Sequence, residues 1–207
     1  MEKDKTIQQH WEKVYREKQP NEVSWWQEHP KTSLEFIHLT GLSKNARIID
    51  IGGGDSKLVD FLLDEGYQDI TVLDISAQAI ERAKNRLGKN AHRAHWVVSD
   101  VNEFHTDEVF DVWHDRAAFH FMNTEQDRAH YKAVAERSIV NGGYLILGTF
   151  STSGPIKCSG LPVHQYDERS LLLEFQSEFE KISCITENHI TPFGTVQNFL
   201  FCSLRKK

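Results

Sequence analysis

The sequence predicts a doubly wound α/β fold: a seven-stranded, mostly parallel sheet with one antiparallel strand and helices on both faces. Three observations carry this. Between residues 45 and 150, short apolar runs alternate with amphipathic stretches of helical period, the pattern of parallel strands joined by crossover helices. The first apolar run ends in Gly52, Gly53 and Gly54, as a strand does where its backbone must approach a ligand. After Phe150 the alternation stops. There "FEKISCITENHI" and "VQNFLFCSLR", joined through Thr191-Pro192-Phe193-Gly194, read as a hairpin that adds an antiparallel partner to the sheet edge.

The elements follow in order. Residues 4–19 and 30–40 read as helices, the second carrying Leu34, Phe36, Ile37 and Leu39 at roughly helical spacing. "ARIIDIGGGD" is a buried strand running into glycines, and "SKLVDFLLDEGY" an amphipathic helix closed by Gly66. "ITVLD" is the second strand, and "SAQAIERAKNRLG" a helix with Ser76 as N-cap and Gly88 as stop. "AHWVVSD", "VFDVWHD" and "GGYLILGTF" are strands three to five, with a polar helix around 125–139 before the fifth. A loop from 151 and a helix near 167–175 precede the hairpin. No repeat, low-complexity tract or long linker interrupts the chain, so one domain over 1–207 is expected. Its parts are a helical N-terminal lid (1–40), a ligand-binding core (45–150), and a substrate-side loop with the hairpin (151–207).

Composition narrows the function. With 39% hydrophobic and 26% charged residues the chain reads as soluble and globular, and a net charge of −6 argues against nucleic acid as a partner. Cys158, Cys184 and Cys202 are odd in number, widely spaced and without a CxxC pair, so neither a disulfide framework nor a zinc site is expected. No N-terminal apolar segment or bilayer-length stretch is present in the sequence, which leads to the expectation of a cytoplasmic protein, a monomer or weak dimer, away from membranes.

The chemistry concentrates in "IIDIGGGDSK". A phosphate-binding G-x-x-x-x-G-K-[ST] loop is absent. A nicotinamide or flavin fingerprint would need a third glycine where Lys57 stands. Asp50, two residues before the first glycine, would repel a pyrophosphate but suits a ligand carrying an ammonium or sulfonium cation. Those properties point to S-adenosyl-L-methionine. Asp74 ends the second strand, where a carboxylate can hold a ribose diol. Asp100 ends the third, within reach of an adenine amino group.

"DIGGGDS", "LDIS", "VVSD", "FDVWHDRAAFHF" and "GGYLILGTF" together resemble the motifs and strands of class I, seven-stranded S-adenosylmethionine-dependent methyltransferases. The N-terminal "HWEKVYREK…VSWWQ" and "SGLPVHQY" are similar to a smaller branch that includes a mitochondrial citrate synthase lysine methyltransferase. One departure is Ser56, where many members carry a third glycine. The resemblance implies that Asp50, Gly52, Gly53 and Gly54 line the methionine end of the cofactor. It implies that Asp74 and Ile75 take the ribose and one adenine face, and Asp100 and Val101 the adenine edge and its other face. His114 and Asp115 would face the sulfonium and the substrate entrance. It also implies a methyl acceptor, a protein lysine or a small metabolite, as partner. A methyltransferase fold that senses the cofactor without turnover is the alternative.

Within "WHDRAAFHF", His114 and His120 lack a third ligand at usable spacing, so no metal is expected. Asp115 reads equally as a general base or as the cap of the following turn. No [DN]-P-P-[YF] motif is present, which disfavours adenine and glutamine acceptors. Finally, "VSWWQEHP" sets two indoles in a polar stretch outside the sheet. They need a surface to cover. The expectation is a lid: Trp11 and Tyr15 on one helix face close over the cofactor, and Trp25 or Trp26 packs near its sulfonium.

Overall fold

A computed structural model describes residues 2–207, with side chains from Thr6 onward. Helices α1 (Glu2–Glu17) and α2 (Lys31–Leu39) lead into strand β1 (Arg47–Ile51). Then follow α3 (Leu58–Asp64), β2 (Asp69–Asp74), α4 (Ala77–Leu87), β3 (His95–Val98), β4 (Phe110–Arg116), α5 (Glu125–Ser138) and β5 (Ile139–Phe150). A small ribbon of β6 (Lys157–Cys158) and β7 (Leu161–Pro162) precedes α6 (Glu168–Phe175) and the hairpin β8 (Phe179–Ile190) and β9 (Val196–Lys206). Seven strands form one sheet in the order β3-β2-β1-β4-β5-β9-β8. Strands β1 to β5 pair in parallel, and β9 runs antiparallel to both β5 and β8. The predicted fold class is the observed one.

Strand periodicity explains why the central strands read as continuous apolar runs. Successive residues point to opposite faces, and both faces are covered. Ile48, Val112 and Ile146 face a layer built by Leu34, Phe36 and Ile37 of α2, Leu58 and Leu62 of α3, and Ile80 of α4. Their neighbours Ile49, Trp113, Leu145 and Leu147 face Tyr131 and Val134 of α5 and Leu171 and Phe175 of α6. In β9 the same alternation sends Phe199 and Phe201 to the first layer, and Leu200 and Leu204 to the second. Register then fixes the site: Ile51 lies beside Leu73 and beside Asp115, and Asp74 beside Val98. The carboxyl ends of four adjacent strands therefore open on one edge, where open α/β sheets bind ligands.

Two expectations need correction. The loop after Phe150 is not irregular throughout, because Lys157–Cys158 and Leu161–Pro162 pair across Ser159 and Gly160. Cys184 and Cys202 form a disulfide, although no disulfide was expected from the odd count and wide spacing. The two lie directly opposite in the β8–β9 register with Cα atoms 4.2 Å apart, a closeness that strand pairing creates across 18 residues of sequence. Cys158 is free and buried.

Gly148 of β5 lies directly opposite Phe201 of β9. A Cβ there would lie 2.7 Å from the ring of Phe201, which is wholly buried. Gly148→Ala should therefore destabilise the fold by about 1–3 kcal/mol, the cost of overpacking a filled core. Denaturant melts of the two proteins measure it, and an unchanged midpoint would mean that β9 does not pack on β5 in this register.

Candidate functional site

The glycine turn begins at the end of β1. Gly52 and Gly54 have φ of 65° and 40°, the left-handed region that side chains other than glycine rarely adopt. Close approach adds a second reason. A Cβ on Gly53 would lie 2.6 Å from Asp50 Oδ2, and one on Gly54 2.6 Å from Asp74 Oδ2. The turn's exit is pinned by Arg86 of α4, which donates to the carbonyls of Asp55 (3.1 Å) and Ser56 (2.7 Å) and pairs with Asp60 at 2.8 Å. Sequence reading missed Arg86, because nothing local marks a side chain that reaches back 30 residues. Lys57 turns away from the sheet to Glu28 (2.6 Å).

Beside this turn lies a cavity of about 530 Å³, a size that suits a nucleoside-sized ligand together with a second small group. Gly52, Asp74, Ile75, Asp100 and Val101 line one side, and Trp11, Tyr15, Trp25 and Phe121 another. A second cavity of about 60 Å³ adjoins it, bounded by Asp50, Gly53, Trp26, Lys57 and His114. Tyr15, Trp25, Gly52 and Arg116 line both. Gly54 lines neither and lies against Asp74.

Helix α1 is docked on this edge by the amino end of α4. Glu12 accepts from the backbone N–H groups of Ala77 (2.7 Å) and Gln78 (3.2 Å), and Gln8 donates to the Ile75 carbonyl (3.3 Å). A carboxylate there satisfies otherwise unpaired donors at the positive end of the helix dipole. Trp11 then packs edge-on against Trp25 and Phe121, with ring centroids 5.6 Å and 5.3 Å apart. The two adjacent indoles part company. Trp25 faces the large cavity, whereas Trp26 bounds the small one with the Lys57 ammonium 5.8 Å from its ring centroid.

Residues 48–143 match the sequence model of the family described as "Methyltransferase domain". This segment is a methyltransferase domain. The chain is 32% identical over 82 residues to nodulation protein S of Rhizobium tropici, covering 40% of this chain and 34% of that protein. It is 25% identical over 126 residues to the eEF1A lysine and N-terminal methyltransferase of Mus musculus, covering 60% and 18%. The chain thus spans about a third or less of the length of these relatives. Among solved structures, the N-methyltransferase NodS of Bradyrhizobium japonicum with S-adenosyl-L-homocysteine superposes with a TM-score of 0.72 at 15% identity, covering 95% of this chain and 98% of that one. Such a likeness shows the fold.

Within the methyltransferase domain the predicted carboxylates differ in what they face. Asp50 is buried and bonds His114 Nδ1 at 2.7 Å, while His114 Nε2 is buried without a partner. A carboxylate only accepts, so His114 donates to it through Nδ1, and in the neutral ring that leaves Nε2 as an acceptor. Asp74 accepts from Ser76 N–H (2.8 Å) and borders the large cavity, and burial pushes its carboxyl up to about 7. Asp100 accepts from Asn102 N–H at 2.9 Å, and both residues line the same cavity.

Asp115 does not line either cavity. It is wholly buried on the opposite face of β4, accepting from Ala118 N–H (2.8 Å), Phe119 N–H (3.0 Å) and Tyr131 Oη (2.6 Å). Burial raises it to about 6 against those bonds. This geometry is that of a cap, and it holds the turn in which Ala117 sits at φ 74°, a strained conformation for a residue with a Cβ. Ala117, Ala118 and Phe121 of that turn form cavity wall. Sequence reading did not single out Arg116 or Cys158, which also line the large cavity. Among the described residues no group of three His, Cys, Asp or Glu is placed to hold a metal ion, and no helix is long and apolar enough to cross a membrane.

Where a ligand diol donates to Asp74, the raised carboxyl makes that binding pH-dependent. A diol donating to Asp74 needs the ionised form, so S-adenosylhomocysteine affinity should fall about tenfold as pH drops from 8 to 6, through the value near 7. The same shift contributes stability to the ligand-free fold that is fully present below about 3.8 and lost as pH rises through about 7. Asp74→Asn should bind about tenfold more weakly at pH 8 and lose the pH dependence. Calorimetric titration across that range measures both, and a wild-type affinity that stays flat would show that Asp74 does not meet the ligand.

Proposed function

We propose that this protein binds S-adenosylmethionine across β1, β2 and β3 and transfers its methyl group to a nitrogen of an acceptor. The observation that carries the reading is the convergence of Gly52, Asp74, Asp100 and the Asp50–His114 pair on two adjoining cavities within the methyltransferase domain. The residues fit the cofactor. The glycine turn makes a cradle that any Cβ would obstruct. His114 Nε2, a buried acceptor with no donor of its own, suits the methionine ammonium, with Asp50 holding the ring. Asp74 would receive the ribose hydroxyls, Ile75 and Val101 the adenine faces, and Asp100 its edge.

When bound, S-adenosylmethionine supplies an electrophilic methyl group on a sulfonium. The chain's own contribution is to orient and to exclude water. Methyl transfer to a neutral nitrogen needs an in-line approach more than acid–base assistance, so positioning supplies much of the rate. Asp115 supports the wall of the cavity and takes no proton from the acceptor in this reading. A nitrogen acceptor is favoured because a relative is described as a lysine and N-terminal methyltransferase and a structural neighbour as an N-methyltransferase. The family resemblance of the N-terminal segment adds protein lysine as one acceptor class, beside a small metabolite.

In this reading α1 and the segment around Trp25 form a lid. Trp11, Tyr15 and Trp25 turn their rings toward the large cavity, which supports an aromatic cover that keeps water from the transfer. Trp25 is the better sulfonium neighbour, since the Lys57 ammonium already lies by Trp26. Tryptophan fluorescence should change on adding S-adenosylhomocysteine. Trp25→Ala should weaken its binding by about threefold or more, from a cation–π and packing loss of about 0.5–2 kcal/mol, while Trp26→Ala changes it less. Equal, small effects of both substitutions would contradict the lid.

The function itself is tested by calorimetry and labelled transfer. S-adenosylmethionine and S-adenosylhomocysteine should bind with no comparable binding of NAD or ATP, and labelled methyl should pass to a component of size-fractionated lysate. Binding without any transfer would favour a cofactor sensor, and NAD binding alone would overturn the assignment.

A further inference from the structure

Arg116 is the last residue of β4, and among the described residues its guanidinium has no hydrogen-bonded anion. Nη1 donates to the Trp25 carbonyl at 2.9 Å, and the group lies 4.7 Å from the ring centroid of Phe199. Nε and Nη2 are shut from solvent with no hydrogen-bond partner. Among the described residues no carboxylate pairs with it directly; Glu187 and Asp50 act on it only through space, one Glu187 oxygen being taken by Thr32 and the other buried without a partner, while Asp50 pairs with His114. Burial lowers Arg116 to about 10, which leaves it charged at neutral pH. Two of its polar neighbours are neutral at that pH. Burial lowers His120 to about 3, and raises the Cys158 thiol to about 12.

A buried cation with two unpaired donors costs the free protein stability unless something pairs with it. Arg116 lines the large cavity together with Cys158, Leu161 and Phe121. Cys158 and Leu161 belong to the β6–β7 ribbon and Phe121 to the turn after β4, and Arg116 also borders the small cavity with Asp50 and His114. The fork of a guanidinium matches a planar two-oxygen anion.

We infer that Arg116 recognises a carboxylate on the methyl acceptor, so that the acceptor class is a small molecule bearing an anionic carboxylate group. This rests on the methyltransferase reading, which gives the remaining cavity to the cofactor. The carboxylate takes the two donors that the fold leaves unpaired, and the acceptor is fixed at the β4 end of the cavity beside Phe121 and Leu161. Neutral isosteres leave the two donors unpaired and are rejected for that reason.

Matched pairs test this without knowing the acceptor. Protein saturated with S-adenosylhomocysteine is titrated calorimetrically with benzoate and benzamide, anthranilate and anthranilamide, and indole-3-carboxylate and its amide. Wild type should bind at least one carboxylate about tenfold or more tightly than its amide. Arg116→Met should abolish the preference, bind S-adenosylhomocysteine within about threefold of wild type, and melt no lower than wild type. Arg116→Lys, which keeps the charge and loses the fork, should retain part of the preference and serves if the methionine variant does not fold. Equal binding of every carboxylate and its amide by wild type, or a preference that survives in Arg116→Met, overturns the inference. So does a loss of S-adenosylhomocysteine affinity in Arg116→Met that 5′-methylthioadenosine does not share, since Arg116 would then hold the cofactor's own carboxylate. If wild type does not bind S-adenosylhomocysteine at all, the methyltransferase reading fails by itself, and the carboxylate preference is read on the unloaded protein.

Discussion

Two buried carboxylates press on a backbone that carries no side chains, and much of the site follows from that contact. Asp50 and Asp74 each approach within 2.6 Å of where a Cβ on Gly53 or Gly54 would be. Only glycine leaves the room, and in exchange the turn brings backbone close to both acids. Both carboxylates need donors. Asp50 finds His114, and Asp74 finds Ser76 N–H with acceptor capacity left over toward the cavity. The register of β1 with β2 and β4 sets these groups side by side, so the geometry of the site is a consequence of strand pairing rather than of any flexible loop.

The remaining walls are held by the same economy of donors and acceptors. Glu12 caps α4 and thereby seats α1 over the strand ends. Asp115 caps the turn after β4 and thereby sets Ala117 and Phe121 in the cavity wall. His189 Nε2 bonds the Ser24 carbonyl at 2.7 Å, which ties the tryptophan segment to the edge strand β8. The Glu12 and His189 contacts join segments distant in sequence, the Asp115 cap is local, and each satisfies a polar group that burial would otherwise penalise. Arg116, like His114 Nε2, keeps polar atoms without a partner, and it is a cation held in place by packing and one carbonyl.

The order of strands and helices was legible in the sequence, because buried parallel strands are continuous apolar runs and crossover helices are amphipathic. So were Asp50, Asp74 and Asp100, each at a strand end, and the glycine turn. Other features depend on pairing that no local pattern reveals. The Cys184–Cys202 bond exists because the β8–β9 register sets the two opposite one another. Asp115 was ambiguous between base and cap because alternation along β4 decides which face it takes, and one residue of register separates it from His114 on the cavity side. Arg116 carries no local signal in the sequence; only the tertiary placement of Phe199, Trp25 and Cys158 around it shuts its Nε and Nη2 from water. Trp25 and Trp26 could not be told apart in sequence, since the chain turns between them.

A crystal structure of the protein with S-adenosylhomocysteine tests the assignment most directly. The ribose hydroxyls should lie within hydrogen-bond distance of both Asp74 oxygens, the adenine between Ile75 and Val101, and the methionine ammonium against His114 Nε2, with Trp25 over the sulfur. A ligand bound elsewhere, or one whose ribose is held by residues other than Asp74 while the strand ends stay filled by side chains, would contradict it.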